Sequence, residues 1–341
     1  MNQIVRFGIM GTGSIAHKFA SAVPLAADAE LIACASRTPG KAEAFAAEFG
    51  IPTYYDTYEA LLANPDIDCV YIATTPNFHY DCIMACIRAG KHILCEKPLL
   101  SRASDTEKVI AAARKSGLFL MEAMWSRLLP SVLQVRELVR SGELGRLLHM
   151  ESHFCFRNPP TITRLYSREL EGSVTTDMGI YNYDVTTFFA GCAPDQISTT
   201  PGVLLGETDT EGNVLLHFPG DITAYFCCSY RFHCKTEFTL YFEEGSVRLE
   251  PYFLNPERVV ITRSDGTQEI LNLKSKKPCA VFRQAVRKAK SIRGLPCRNL
   301  PRFLTGSLPR GAIPGPKNKR PDIFPRTPHH FETIFRSCYA C

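Results

Sequence analysis

Two side chains that could handle a proton lie one helical turn apart in the stretch of residues 172–184. Asp177 and Tyr181 are separated by four positions, so a helix that begins at Asp177 would place both side chains on one face. A phenol and a carboxylate beside a lysine provide what alcohol oxidation needs, namely a base for the hydroxyl proton while hydride leaves for a nicotinamide. The plainer interpretation is that Asp177 caps the helix and Tyr181 packs in a domain interface.

Lys97 is the candidate for the lysine of this group. It follows the apolar run His92 to Cys95 within the string Glu96-Lys97-Pro98, so a predicted strand delivers it to the carboxyl end of a sheet. An ordinary tyrosine titrates at about pH 10. We expect the Lys97 ammonium to stabilise the Tyr181 phenolate and thereby to lower the pKa of Tyr181.

A glycine turn joins the first predicted strand to the first predicted helix. An apolar run typical of a buried strand ends at Met10, and helix-spaced apolar residues follow the turn. Gly11 permits the tight turn, Gly13 lets the backbone approach a pyrophosphate, and Ala16 lets the helix pack on the strand. Phosphates would lie at the helix N-terminus. A glycine turn of purely structural origin is the alternative.

The end of the second predicted strand, Ala29 to Ala35, bears on the choice of cofactor. The next residues are Ser36 and Arg37. A carboxylate at this point would bond the ribose 2′-hydroxyl, whereas a small polar residue followed by arginine accommodates a 2′-phosphate. We therefore expect NADP, with NAD as the less favoured cofactor, and a solvated arginine at a strand end as the alternative.

Helices and buried strands alternate up to Trp125, which predicts an α/β domain with a doubly wound parallel sheet of the Rossmann type over residues 1–125. The third strand closes with Thr74-Thr75-Pro76-Asn77, at the edge where open α/β sheets bind ligands. From Leu147 onward, period-two alternation indicates a largely antiparallel open sheet. We expect residues 126–273 to form this second, α+β domain. The predicted cofactor contacts are Gly11, Gly13, Ser14, Ile15, Ser36, Arg37, Thr74, Pro76, Asn77, His79, Glu96 and Lys97.

The composition places further bounds on the protein. The 341 residues are 45% hydrophobic, and no stretch approaches the roughly 18 apolar residues that span a bilayer. The N-terminus shows no basic segment followed by an apolar core and a cleavage site, so we expect a cytoplasmic protein without a membrane partner. Most of the 14 cysteines stand in apolar strand or helix patterns, which indicates reduced thiols and no metal site.

Charge divides the chain sharply near Lys274. Residues 1–273 carry 23 Lys and Arg against 32 Asp and Glu, whereas residues 274–341 carry 16 against 2 and include nine prolines. This tail is either a basic appendage for nucleic acid or an acidic partner, or a sequence that has lost its reading frame. We favour the second interpretation, because no nucleic-acid-binding motif accompanies the charge.

Three strings occur together in this sequence: GTGSIA at residues 11–16, EKP at residues 96–98 and MEAMW at residues 121–125. With them the chain resembles the Gfo/Idh/MocA oxidoreductases over residues 1–273, and most of all the NADP-dependent dihydrodiol and D-xylose dehydrogenase branch. The resemblance implies that Tyr181 is the acid/base, that Lys97 polarises the substrate oxygen and tunes Tyr181, and that Asp177 orients the pair.

The same resemblance implies a small-molecule substrate, namely a sugar, a polyol or a cyclic trans-diol. Trp125 and Phe154 are expected to line an apolar substrate wall, and the sheet of the second domain would carry the contact of a homo-oligomer. A non-catalytic nucleotide-binding protein of the same fold, or an enzyme inactivated by its C-terminus, is the alternative.

Overall fold

The computed structural model describes residues 4–200, 202–206 and 208–273. The predictions for residues 274–341 lie outside the described residues. The described ranges form a pair of sheets, one from strands between residues 5 and 122 and the other from strands between residues 147 and 272.

The first sheet has six parallel strands in the order β3-β2-β1-β4-β5-β6. The strands are β1 (Val5–Met10), β2 (Ala29–Ala35), β3 (Thr53–Tyr55), β4 (Cys69–Ile72), β5 (His92–Cys95) and β6 (Leu120–Glu122). The helices that connect them are α1 (Ser14–Ala22), α2 (Lys41–Phe49), α3 (Tyr58–Ala63), α4 (His79–Arg88) and α5 (Ala103–Lys115). The order reverses direction between β1 and β4, which opens a ligand crevice at the carboxyl ends of these strands.

The central strands of this sheet are apolar on both faces because helices cover both sides. On one side the ring of Phe19 stacks on Tyr71 with centroids 4.0 Å apart. Helix α2 ends where Gly50 adopts a left-handed conformation at φ 64°, as the sequence predicts. The glycine turn, Ser36 and Lys97 therefore all lie at the same edge of the sheet.

The second sheet has nine strands and is antiparallel except for the parallel pair β7 and β11. Its path runs β15-β14-β13-β12-β7-β11-β10-β8, with β9 paired to β10. The strands are β7 (Leu147–Cys155), β8 (Gln196–Thr199), β9 (Val203–Leu205), β10 (Thr208–Phe218), β11 (Ile222–Ser229), β12 (Phe238–Phe242), β13 (Gly245–Glu250), β14 (Arg258–Arg263) and β15 (Gln268–Asn272). The predicted fold class is confirmed.

Three helices accompany the second sheet, namely α6 (Pro130–Ser141), α7 (Thr163–Tyr166) and α8 (Ile180–Ala190). Helix α8 is buried almost all round, since it packs between the sheet and the polypeptide that links the two sheets. Gly179 permits this close approach, because a Cβ there would lie 3.0 Å from the Cys228 sulfur. Among the described residues, the side chains on the opposite face of the sheet are half-buried or exposed.

Strands β3, β8 and β9 were not predicted from the sequence. Each has three or four residues, and none of the residues in these strands is fully buried. Edge strands of this kind show neither a buried apolar run nor an alternation of buried and exposed residues. The ten described cysteines are free thiols, and no described helix has the length and apolarity that a bilayer span requires.

Candidate active site

Lys97 reaches across from the first sheet to the second. It follows β5 directly, and its ammonium lies 2.8 Å from the Asp177 Oδ1 atom and 2.8 Å from the Asp177 carbonyl oxygen. The two side chains keep 15% and 26% of their surface exposed. The structure therefore brings together two residues that the sequence separates widely.

Asp177 lies in a short π-helical turn, Thr175–Gly179, that leads into α8. The amides of Thr175 and Thr176 donate to the hydroxyl of Ser173, at 3.1 and 3.3 Å. The carboxylate of Asp177 is directed away from these amides, to Lys97 and to the hydroxyl of Tyr230. The alternative that Asp177 serves as a helix cap is therefore wrong.

Tyr181 lies one turn further on, with 9% of its surface exposed. Its hydroxyl accepts a hydrogen bond from the Trp125 indole nitrogen at 3.2 Å. The Lys97 ammonium lies over the Tyr181 ring, 5.0 Å from the centroid. The predicted trio of lysine, carboxylate and phenol thus forms one cluster between the sheets.

Contacts within this cluster determine the protonation states of Lys97 and Asp177. Burial lowers the pKa of Lys97, but the Asp177 carboxylate and Tyr181 more than reverse that effect, so the pKa is raised. Burial raises the pKa of Asp177, but the Lys97 ammonium outweighs it, and the net pKa is lowered. Lys97 is therefore cationic and Asp177 anionic throughout the neutral range.

The expected fall in the pKa of Tyr181 is wrong in its net direction. Lys97 does lower this pKa, but burial raises it by more, and Glu96 adds to the rise. The phenol is consequently protonated at neutral pH. In this state Tyr181 is suited to donate a proton or a hydrogen bond.

Three side chains hold the loop that carries Lys97, namely the buried Glu96 and His79 and the half-buried Glu122. Glu96 accepts a hydrogen bond from the Tyr71 hydroxyl and another, at 3.2 Å, from the Lys97 amide. Glu122 accepts the Leu99 amide at 2.7 Å, and burial, with the nearby Asp184 charge, raises the pKa of Glu122 to about 7. The loop is thus fixed from both sides of Lys97.

His79 is the third of these side chains, and its predicted contact with the cofactor stays a prediction. Its side chain is completely buried. One ring nitrogen lies 2.9 Å from the Pro98 carbonyl oxygen, and the other lies 3.2 Å from the Thr74 carbonyl oxygen. His79 therefore ties the loop after β4 to the loop after β5.

The glycine turn has the features of a phosphate cradle. Gly11 has a φ of 93°, and a Cβ there would lie 2.8 Å from the Ala73 carbonyl oxygen, so glycine is required. Helix α1 begins at Ser14 without a side-chain cap or an acidic residue in its first turn, which leaves the first amides, including that of Ile15, available to an anion. A Cβ at Gly13 would meet no described atom within 4 Å. The residues present therefore fit a dinucleotide phosphate.

The other predicted cofactor contacts lie around the same crevice. Ser36 is buried and its hydroxyl accepts the amide of Thr38 at 3.2 Å. The Arg37 guanidinium lies over the Phe78 ring, 4.0 Å from the centroid. Thr74 follows β4, and Pro76 begins the turn of 3₁₀-helix that also contains Asn77. Their contact with a cofactor stays a prediction.

An aromatic cluster surrounds the Tyr181 ring. Phe154 lies 6.1 Å away and Trp125 lies 6.4 Å away, both edge-on. Phe154 also packs on Phe156 and Phe253, at 5.6 and 6.1 Å. Besides its predicted place in an apolar substrate wall, Trp125 donates its indole N–H to the Tyr181 hydroxyl and thereby orients that hydroxyl.

Two features of this site were not predicted from the sequence. Tyr230 follows β11 and bonds Asp177, but no local pattern distinguishes it from a core tyrosine. Arg127 and Asp184 form a bidentate ion pair at 2.7 and 2.8 Å that fastens α8 to the linking polypeptide. Within the described ranges, no cluster of His, Cys, Asp and Glu has a geometry that could hold a metal ion.

A parallel sheet with a phosphate cradle, facing a lysine, a carboxylate and a phenol, defines the class of this protein as a nucleotide-dependent oxidoreductase. The oxidoreductase family with an NAD-binding Rossmann fold matches residues 5–124. The GFO/IDH/MocA C-terminal domain matches residues 132–248. The chain belongs to the GFO/IDH/MocA oxidoreductases, and the resemblance noted in the sequence is confirmed.

The chain is similar in sequence to trans-1,2-dihydrobenzene-1,2-diol dehydrogenases. It is 34% identical to the Mus musculus enzyme over 229 residues, which make up 66% of this chain and 68% of that protein. It is 32% identical to the Homo sapiens enzyme over 255 residues, which make up 74% of this chain and 75% of that protein.

Solved structures with the same fold include a ketoreductase and an aldose oxidoreductase. The 3-ketoreductase KijD10 from Actinomadura kijaniata, in complex with NADP and TDP-benzene, has a TM-score of 0.74 and 26% identity, covering 85% of this chain and 94% of that chain. The aldose-aldose oxidoreductase from Caulobacter crescentus, complexed with glycerol, has a TM-score of 0.77 and 25% identity, covering 85% and 89%.

Proposed function

We propose that the protein is an NADP-dependent dehydrogenase that oxidises a secondary alcohol of a cyclic trans-diol or a sugar-like polyol. The observation that carries this proposal is the contact of Lys97 with Asp177, together with the position of the Lys97 ammonium over the Tyr181 ring. This trio lies between the crevice of the first sheet and the inner face of the second.

The roles of the three residues follow from the hydrogen bonds and protons that each can give or accept. An ammonium has three N–H donors, and among the described residues Asp177 takes two of them. The third is left for the oxygen of a substrate, where Lys97 stabilises negative charge as the alcohol proton leaves. In carbonyl reduction the protonated Tyr181 gives its proton to the substrate oxygen, and in oxidation its phenolate, which forms as the pH rises, receives the alcohol proton.

The bound dinucleotide would supply the hydride acceptor. The residues that would hold it are those of the phosphate cradle, Gly11, Gly13, Ser14 and Ile15, together with the loops after β2 and β4. Arg37 supports NADP over NAD, because a guanidinium held over an aromatic ring still presents N–H donors to a 2′-phosphate.

The surroundings of Tyr181 support a substrate with an apolar ring. Trp125, Phe154 and Phe156 offer aromatic faces and edges near the phenol, and such surfaces suit a cyclic diol better than an open, fully hydroxylated chain. The dihydrodiol dehydrogenases among the relatives point to the same substrate class.

We also propose a homo-oligomer formed by a second copy of this chain on the exposed face of the second sheet. Leu215, Tyr241 and Ile270 are 57%, 40% and 48% exposed on that face, which supports an apolar contact there. Sedimentation of the full chain and of a Tyr241→Glu variant would test this, because a lower mass is expected for the variant. The domain boundary near residue 125 and the cytoplasmic location stay predictions from the sequence.

The experiment that tests the proposed activity measures NADPH formation by the full-length chain. The substrates are a cyclic trans-diol and D-xylose, each with NADP or NAD. We expect turnover with NADP, the larger rate with the diol, and a loss of roughly 100-fold or more for Tyr181→Phe.

Tyr183→Phe is the matched control, since this second tyrosine lies on the same helix and its side chain is buried in the core. It should keep turnover within roughly three-fold of the original chain. A folded protein that binds NADPH but turns over neither substrate class would contradict the proposal and indicate a non-catalytic nucleotide-binding protein.

A further inference from the structure

We propose that Tyr230 is a positioning residue for the active site, which holds the Asp177 carboxylate in the orientation that pairs with Lys97. This inference rests on the proposed function. It assigns to Tyr230 an effect on turnover that acts through Asp177, to which the Tyr230 hydroxyl donates a hydrogen bond.

The two oxygens of the Asp177 carboxylate are held from different parts of the fold. Lys97, after β5, binds Oδ1 at 2.8 Å, whereas Tyr230, after β11, donates its hydroxyl to Oδ2 at 3.0 Å. Tyr230 is 1% exposed. Rotation of the carboxylate would therefore break at least one of two charge-assisted hydrogen bonds.

The same hydroxyl also lies against the turn that carries Asp177. It lies 3.1 Å from the carbonyl oxygen of Ser173, whose own hydroxyl accepts the amide of Thr175. Asp209 on β10 accepts the amide and the hydroxyl of Thr175 at 3.0 and 2.6 Å. Asp209 thus fixes the turn to β10, while the single hydroxyl proton of Tyr230, which follows β11, is placed between the Asp177 carboxylate and the Ser173 carbonyl oxygen.

The charged groups around the hydroxyl keep it a neutral donor. Burial raises the pKa of Tyr230, the carboxylates of Asp177 and Asp209 raise it further, and Arg164 on α7 opposes them. A hydroxyl that donates to an ionised carboxylate lowers the pKa of that carboxylate, and Tyr230 has this effect on Asp177. Removal of the hydroxyl should therefore raise the pKa of Asp177 and weaken its pairing with Lys97 as the pH falls.

The test replaces Tyr230 by phenylalanine in the full-length chain. We expect kcat to fall roughly ten-fold, since one charge-assisted hydrogen bond is lost, while KM and the Kd of NADPH stay within about two-fold. The acid limb of the pH profile of kcat should move to higher pH. The control is Tyr166→Phe, whose ring lies 5.6 Å from that of Tyr230 and whose hydroxyl donates to the Asn158 carbonyl oxygen.

The Tyr166→Phe variant should leave kcat and its pH profile unchanged. A folded Tyr230→Phe protein with the original kcat and pH profile would overturn the inference, and so would an equal loss in both variants. Titration of the Asp177 carboxyl carbon by ¹³C NMR, assigned from Asp177→Asn, gives a readout independent of turnover. If the original chain has no activity, the proposed function fails, and an unmoved Asp177 titration in Tyr230→Phe would still overturn the inference separately.

Discussion

Replacing Lys97 by methionine should abolish most turnover and also destabilise the fold. Methionine keeps much of the apolar stem but removes the ammonium that contacts Asp177 at two oxygens. Loss of one preorganised donor to a developing oxyanion costs roughly 100- to 1000-fold in kcat. The Kd of NADPH should stay within about three-fold, because the phosphate cradle is untouched.

The change in the free energy of unfolding follows from the same ion pair between Lys97 and Asp177. Breaking a buried ion pair at one side costs roughly 3–5 kcal/mol. Lys97 and Asp177 keep 15% and 26% of their side-chain surface exposed, so solvent offsets some of this cost and we expect a loss of about 2 kcal/mol in the free energy of unfolding. The double variant K97M/D177N carries no unpaired charge and should recover about half of that loss, but none of the turnover.

The assays are urea unfolding near neutral pH and initial rates of NADPH formation with the diol. Turnover by Lys97→Met close to that of the original chain would refute the catalytic assignment. A double variant no more stable than Lys97→Met would refute the reasoning about the uncompensated Asp177 charge.

Three further predictions concern other regions of the site. Trp125→Phe removes the donor that lowers the pKa of Tyr181; the pKa should rise, the increase of the oxidation rate with pH should move to higher pH, and the rate at about pH 8 should fall roughly three-fold. Arg37→Ala should weaken NADPH binding roughly ten-fold and NADH binding little, as measured by fluorescence titration. Asp184→Asn breaks the ion pair with Arg127 and should lower the free energy of unfolding by about 2 kcal/mol in urea.

The first sheet was predictable because the residues of its central strands are by themselves sufficient to identify them. Parallel strands covered by helices on both faces are short continuous apolar runs, and the run before Gly11 and the one before Glu96 have this form. The resemblance then supplied what spacing alone left open, namely that Lys97 belongs with the Asp177 turn. The short edge strands escaped prediction because their side chains are partly or fully exposed.

The properties of the site that depend on distant packing could not be predicted. The net pKa shift of Tyr181 is set by burial among Trp125 and Phe154, which approach from other elements. His79 stands beside the predicted ligand edge in sequence, and the local pattern does not show that its ring is buried between the carbonyl groups of two loops. Tyr230 reaches Asp177 only through the pairing of strands far apart in the chain.

The most direct test of the central claim follows the hydrogen that leaves the substrate. The full-length protein is mixed with NADP and a cyclic trans-diol deuterated at its carbinol carbons, and the NADPH formed is analysed by mass spectrometry. Hydride transfer beside Lys97 and Tyr181 predicts NADPH that carries the deuterium, formed more slowly than with the unlabelled diol. NADPH without deuterium, or no NADPH from protein shown to bind the cofactor and the diol, would contradict the account.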